Sequence, residues 1–250
     1  MCYAVGALSI ISIEISVPGE NVHIGLIGGI GPAATEFYYR NLARAHVAAN
    51  CAMELTIVHA DVRDLIQNMS DNAPDKQAEI FLRLTRRLQS AGAEAVAVTS
   101  IAGHFCIREL EVLSPLPVIN AIPKIEAALV NRGLHRVGLL GTRVVMQSGL
   151  YGDINAVDVV VPPGESFDAT HNAYVAMAAA GQADDQQREL LFSVGNDLCR
   201  KHGAEAVLLA GTDLFLAFDG YDCGFPTIDC ARVHIDALFS ESLKLSMANS

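Results

Sequence analysis

"GAEAVAVTS" (Gly92–Ser100) and "GAEAVLLAGTD" (Gly203–Asp213) repeat one plan in the two halves of the chain. In each, a glycine follows a helical pattern, and an apolar run then ends in small and polar residues. Glycine just past the last periodic residue is the usual way for a helix to stop. A short, nearly continuous apolar run between turn signals reads as a strand covered on both faces. Upstream of the first copy, "PDKQAEIFLRLTRRLQSAG" (Pro74–Gly92) places apolar residues at three- and four-residue spacing; "QQRELLFSVGNDLCRKHG" (Gln186–Gly203) precedes the second. A repeated unit of helix, buried strand and polar mouth predicts two α/β lobes of similar plan.

The same alternation extends outward. Strands are predicted at 21–29, 52–61, 93–100, 116–120, 136–142, 158–162, 204–212 and 225–229. Helices are predicted at 32–49, 74–92, from about His104, 122–133, 144–155, 186–203 and 230–246. The fold class that follows is α/β: two pseudo-symmetric lobes, each a parallel sheet flanked by helices, with a cleft between them. Residues 1–21 form an extension, residues 22–118 plus about 232–250 the first lobe, and residues 119–231 the second. In open parallel sheets ligands sit beyond the carboxyl ends of the strands. Three such ends carry distinctive residues: "GGIGP" (Gly28–Pro32), "TSIAGH" (Thr99–His104) and "AGTD" (Ala210–Asp213).

Composition narrows the classes of partner. The chain has 250 residues, 51% hydrophobic and 18% charged, with a formal net charge of -11. That excludes a disordered polymer and argues against nucleic acid, whose phosphates an acidic surface repels. A small anion is still compatible, because one arginine or a helix N-terminus can hold a carboxylate locally. Six cysteines, at 2, 51, 106, 199, 223 and 230, form no CxxC pair. They read as reduced thiols of a cytoplasmic protein and supply no metal site. "AVGALSIISIEISV" (Ala4–Val17) is apolar but too short for a span, has no basic flank and is interrupted by Glu14. It is expected to add an edge strand or to be a leader from an early start, with no membrane role.

"GLIGGIGPAAT" (Gly25–Thr35) puts glycines between a strand and a helix, with Pro32 at the helix start. Gly29, Gly31 and Pro32 are expected to shape a turn whose amides take a carboxylate. Neither GxGxxG nor a Walker motif is present. Arg63, after the second strand, is a candidate clamp for a distal carboxylate. Thr142, Tyr151 and His59 are weaker candidates for lining the cleft.

"IGLIGGIGPAAT…FYYRNL", "GTRVVMQSGLY" (Gly141–Tyr151), "GAEAVLLAGTDL" (Gly203–Leu214) and "PTIDCARVHIDAL" (Pro226–Leu238) stand in the order found in the aspartate/glutamate racemase superfamily. The chain resembles that superfamily from about Val22 onward. The resemblance implies a cofactor-free, pyridoxal-independent site between the lobes for a small amino acid or carboxylate, and a homodimer. It also implies one cysteine at a strand mouth in each lobe, one thiolate removing the α-proton and the opposite thiol returning it. Here the matching positions are Ser100 and Gly211. The Asn-Thr pair after the first cysteine becomes Ile101-Ala102, and the glutamate after the second becomes Asp213.

A serine hydroxyl titrates several units above a thiol, so the lost poise is at least about a thousandfold in rate. Glycine supplies no proton. Ordinary two-thiol racemisation is therefore expected to be weak or absent. Ser100, His104 and Asp213 are the remaining acid/base candidates, with His104 either activating Ser100 or tying the turn. Ile101, Ala102, Gly211, Thr212 and His234 are expected to contact substrate. Three readings stay open: an altered isomerase, a decarboxylase or lyase on the same scaffold, and a non-catalytic carboxylate binder. A serine introduced for a cysteine at position 100 is a further possibility.

Overall fold

The computed structural model describes residues 21–243. The extension expected at residues 1–21 lies outside them except for Asn21. Two parallel sheets carry the chain. The first has the order β2-β1-β3, from β1 (Ile24–Gly28), β2 (Leu55–His59) and β3 (Ala95–Val98). The second has the order β5-β4-β6-β7, from β4 (Arg136–Gly141), β5 (Asp158–Val160), β6 (Ala206–Ala210) and β7 (Thr227–Asp229). Among the described residues no helix is long and apolar enough to cross a membrane.

The two halves repeat element by element. In the first, β1 leads to α1 (Pro32–Ala48), β2, α2 (Val62–Ser70), α3 (Pro74–Ser90) and β3. In the second, β4 leads to α6 (Arg143–Ser148), β5, α7 (Glu165–Ala180), α8 (Asp185–His202) and β6. After β3 the chain makes a tight 3-10 turn (Ala102–Cys106), then α4 (Ile107–Leu113) and α5 (Ala121–Asn131). After β6 come α9 (Phe215–Phe218), β7 and α10 (Cys230–Ser242).

The central strands, "IGLIG" and "RVGLLG", explain how each sheet takes a helix so closely. A Cβ on Gly25 would lie 2.9 Å from Leu88 Cδ1 of α3, and one on Gly138 would lie 2.9 Å from Leu198 Cδ1 of α8. Both leucines are fully or almost fully buried. The bare glycine lets a helix leucine sit directly on the strand, in the same place in each lobe. The final helices exchange partners: Ile122, Ile125 and Leu129 of α5 pack in one core with Val137, Leu139 and Leu208. Ala231, Ile235 and Leu238 of α10 pack instead with Ile24, Leu26 and Phe37.

Several local expectations change. The strand predicted at 116–120 shrinks to one parallel bridge, Val96 to Val118, with Pro117 accepting from the Val96 amide. Pro117 has no N–H to continue a ladder, and Asn120 already caps α5. The helix predicted at 144–155 stops at Ser148, where Gly149, Leu150, Tyr151 and Gly152 all take positive φ (57°, 61°, 63° and 71°). Left-handed backbone costs a residue with a side chain roughly 1–2 kcal/mol, so this turn must be held by tertiary contacts. The helix predicted at 230–246 ends at Ser242. Three helices, α2, α7 and the short α9, fall where the pattern assigns no element: α2 keeps Val62 and Ile66 exposed, and α7 is alanine-rich with little periodicity.

Gly138→Ala should destabilise the fold by roughly 1–3 kcal/mol, the usual cost of overpacking a tight core. Denaturant unfolding checks this, and Leu198→Ala in the same chain should relieve part of the penalty.

Candidate functional site

The two repeated strands, β3 and β6, end at Val98 and Ala210, shortly before Ser100 and Gly211, and the start of α1 contacts both mouths. The turn between β1 and α1 gives its two inner glycines positive φ, 86° at Gly29 and 108° at Gly31. Left-handed backbone at both positions needs glycine, which is why the sequence has it there. Pro32, exposed, opens α1 in its first turn, where its missing N–H costs nothing.

This turn is satisfied from within. The Gly29 N–H donates to Thr35 Oγ1 at 2.9 Å. The Thr35 hydroxyl donates to the Gly31 carbonyl and lies 3.2 Å from Thr99 Oγ1 at the end of β3. Neither Gly31 nor any first-turn acid caps α1 by a side chain. The cap comes from the other sheet: the Ala34 N–H donates to Asp213 Oδ1 at 3.2 Å. The carboxylate that the turn was expected to take from a ligand is, in this structure, the protein's own.

Asp213 is held on its other oxygen by Tyr174 of α7, whose hydroxyl donates to Oδ2 at 3.2 Å. A Cβ on Gly31 would stand 2.8 Å from that same Oδ2, so the carboxylate lies directly against the turn. Asp213 is only 3% exposed, and burial pushes its carboxyl up to about 6 despite both hydrogen bonds. Burial also raises the Tyr174 phenol well above its ordinary value, helped by the charge on Asp213.

Gly211 is the tightest position of the site. A Cβ there would lie 2.3 Å from Tyr174 Cε2, 2.8 Å from Cζ and 3.0 Å from the hydroxyl oxygen. The tyrosine ring occupies the space that any side chain at 211 needs. Next to it, the Thr212 hydroxyl is 1% exposed and has no hydrogen-bond partner. A buried orphan hydroxyl costs about 1–3 kcal/mol and marks a group available to a ligand.

At the opposite mouth, Ser100 is 5% exposed and its Oγ accepts from the Gly103 N–H at 3.3 Å. His104 does not reach that hydroxyl: its Nδ1 donates to the Ser100 carbonyl at 2.7 Å, and its Nε2 accepts from the Ala121 N–H at 3.3 Å. The ring ties the 3-10 turn to the start of α5, and burial pushes it down to about 4. His234 is similarly committed, with Nε2 donating to the Ile119 carbonyl at 2.8 Å and Nδ1 accepting from Tyr38 at 3.0 Å. Burial holds it neutral, down to about 3. Both histidines keep every ring nitrogen engaged, and of the two roles open for His104, activating Ser100 or tying the turn, its hydrogen bonds match the second.

The remaining candidates scatter. Arg63 is exposed at the start of α2 and folds back on Asp61, the residue capping that helix. Its guanidinium therefore already has a carboxylate and stays exposed. Thr142 caps α6 through the Val145 N–H. Ile101 is buried, Ala102 half-buried, and their carbonyls accept from the Tyr151 hydroxyl at 3.2 and 3.1 Å. The left-handed turn of the second half thus clasps the mouth of β3, reinforced by an ion pair between Arg108 and Asp153. His59 stands against Gly29. Cys106 is buried near the mouth, its thiol pushed up to about 12 and donating to the Gly103 carbonyl. Tyr174, Thr35 and Thr99 were not singled out by sequence; only a glycine at a strand end hinted at a close approach.

The Asp213 environment has a pH consequence. An unfolded aspartate releases its proton near pH 4, whereas the folded carboxyl keeps it to about pH 6. Stability from this group is thus present below about pH 4 and lost as pH rises through about 6. Asp213→Asn should therefore gain on the wild type as pH climbs from 4 to 7, by up to roughly 2–3 kcal/mol. Paired thermal melts across that range check the trend, and a flat difference would contradict it.

Comparison with known proteins agrees with this architecture. Solved structures with the same fold include an Asp/Glu racemase candidate from Yersinia pestis (22% identity, TM-score 0.78, covering 89% of this chain and 99% of that one). An aspartate racemase homologue from Pyrococcus horikoshii aligns at 23% identity and TM-score 0.71, over 90% and 99% of the two chains. Aspartate racemase from Picrophilus torridus follows at 19% identity and TM-score 0.68, over 92% and 100%. The model of the Asp/Glu/hydantoin racemase family matches residues 27–238. With the match spanning both sheets and both strand mouths, the chain belongs to the Asp/Glu/hydantoin racemase family.

Proposed function

We propose that the protein binds a small amino acid or related carboxylate at the junction of the two strand mouths, without ordinary two-thiol racemisation. The lobes are taken as residues 22–118 with the chain from about 232, and residues 119–231. The observation that carries the reading is that both strand mouths meet the start of α1, Thr99 through Thr35 and Asp213 through the Ala34 N–H, with a serine beside the first and, beside the second, a glycine whose side-chain space is filled by Tyr174. Around them the orphan Thr212 hydroxyl and the Ser100 hydroxyl offer neutral hydrogen bonds to a carboxylate. Binding needs the closed junction to open, which in a two-lobe protein is a hinge motion. A role in binding without turnover is the second reading, favoured by the full engagement of His104 and His234.

Aspartate, glutamate and succinate, added separately, should raise the melting temperature by mass action for at least one of the three. Chiral chromatography after long incubation should show no inversion of aspartate or glutamate above the buffer rate. Inversion at an enzyme-like rate would contradict the absence of two-thiol chemistry, and no thermal shift with any of the three would contradict the binding site.

A further inference from the structure

Tyr174 is a polar group that the family's thiol chemistry does not account for, and it stands at the most telling place in the fold. Its ring fills the space in front of Gly211, and its hydroxyl oxygen is 3.0 Å from the Cβ that residue 211 lacks. A side chain at 211 would begin at that Cβ, so the phenol oxygen lies beside the space such a side chain would enter. The hydroxyl is hydrogen-bonded to Asp213, which reaches the first turn of α1 through the Ala34 N–H. Phenol, carboxylate and glycine turn therefore converge on one point between the two sheets. At the opposite mouth the Ser100 hydroxyl accepts from the Gly103 N–H, and the ring nitrogens of His104 and His234 are all engaged elsewhere.

We propose that the Tyr174 phenol, backed by the Asp213 carboxylate, is the proton-carrying group of the second lobe, acting on the α-carbon of a small amino acid. This rests on the binding reading above and adds the residue and the stereochemistry. In one direction the phenol oxygen takes the α-proton while its own proton passes to Asp213. The C–H bond breaks, its electron pair stays on the substrate as an enolate, and new O–H bonds form at Tyr174 and Asp213. Before the return step the protons held on Tyr174 and Asp213 exchange with solvent; the phenol then gives a solvent-derived proton to the α-carbon and recovers one from Asp213. A thiol is not needed, and no oxidant or cofactor enters. The raised carboxyl of Asp213, near 6, places the final acceptor closer to neutral pH than an ordinary aspartate, which favours proton transfer. Because one face of the α-carbon has a proton carrier and the other has only an alcohol, the proton returns to the face it left. The reaction is exchange with retention, not inversion.

The test incubates the full chain in deuterium oxide with each enantiomer of aspartate, glutamate and alanine, following the α-proton by NMR and configuration by chiral chromatography. Deuterium is expected to enter one enantiomer of at least one of these amino acids, with no inversion. Tyr174→Phe keeps the ring against Gly211 and should lower the exchange rate at least 100-fold while leaving the thermal shift by the same amino acid in place. Ser100→Cys, which puts a thiol on the opposite face, should convert exchange into inversion that is lost again when Tyr174→Phe is added. Exchange that survives Tyr174→Phe within twofold overturns the proposal, as does the absence of exchange for the whole panel in the wild type. In the latter case a retained thermal shift leaves the binding reading standing, and the loss of both removes it.

Discussion

The hydrogen bond from the Ala34 amide to the Asp213 carboxylate is the constraint on which the site depends. It joins the start of α1 in the first half to the residue just past β6 in the second. One carboxylate serves at once as a helix cap, as the partner of the Tyr174 phenol and as a buried charge between two sheets. Gly31 is needed because the turn must leave room for that carboxylate, Gly29 because its left-handed backbone lies against His59, and Gly211 because the phenol lies across it.

The two halves of the fold share one frame. The duplicated architecture persists down to matched glycines under Leu88 and Leu198. The strand mouths present alcohols, a phenol and a carboxylate, all with lower nucleophilicity than thiolates at neutral pH. The histidines that a triad-like reading would enlist are used as structural pins: His104 holds the 3-10 turn to α5, and His234 links Tyr38 to the Ile119 carbonyl. Burial keeps both rings neutral, so they add no positive charge to the site.

Much of this was legible in the sequence. The repeated "GAEAV" runs predicted two parallel α/β units because a strand buried on both faces has to be apolar along its whole length, and a helix has to stop before it. Ser100, Gly211, Thr212 and Asp213 could be placed at strand ends by the same argument. Their partners could not. Tyr174 sits in an alanine-rich helix with weak periodicity, and its meeting with Gly211 depends on how α7 packs against the second sheet. Arg63 shows the opposite failure: a strand followed by an arginine resembles a carboxylate clamp until Asp61, two residues away, is seen to hold it. The left-handed run from Gly149 to Gly152 was hidden as well, since Leu150 and Tyr151 are residues that local preference assigns to a helix.

The central claim is that Tyr174 occupies the space that a side chain at position 211 requires. A double-mutant cycle of Gly211→Ala and Tyr174→Ala, read by denaturant unfolding, tests it most directly. The backbone at Gly211 is not in the left-handed region, so an alanine there meets no conformational strain and only the ring can oppose it. The account predicts that Gly211→Ala costs roughly 1–3 kcal/mol in the wild type and close to nothing once Tyr174 is alanine. The same cost in both backgrounds would contradict it.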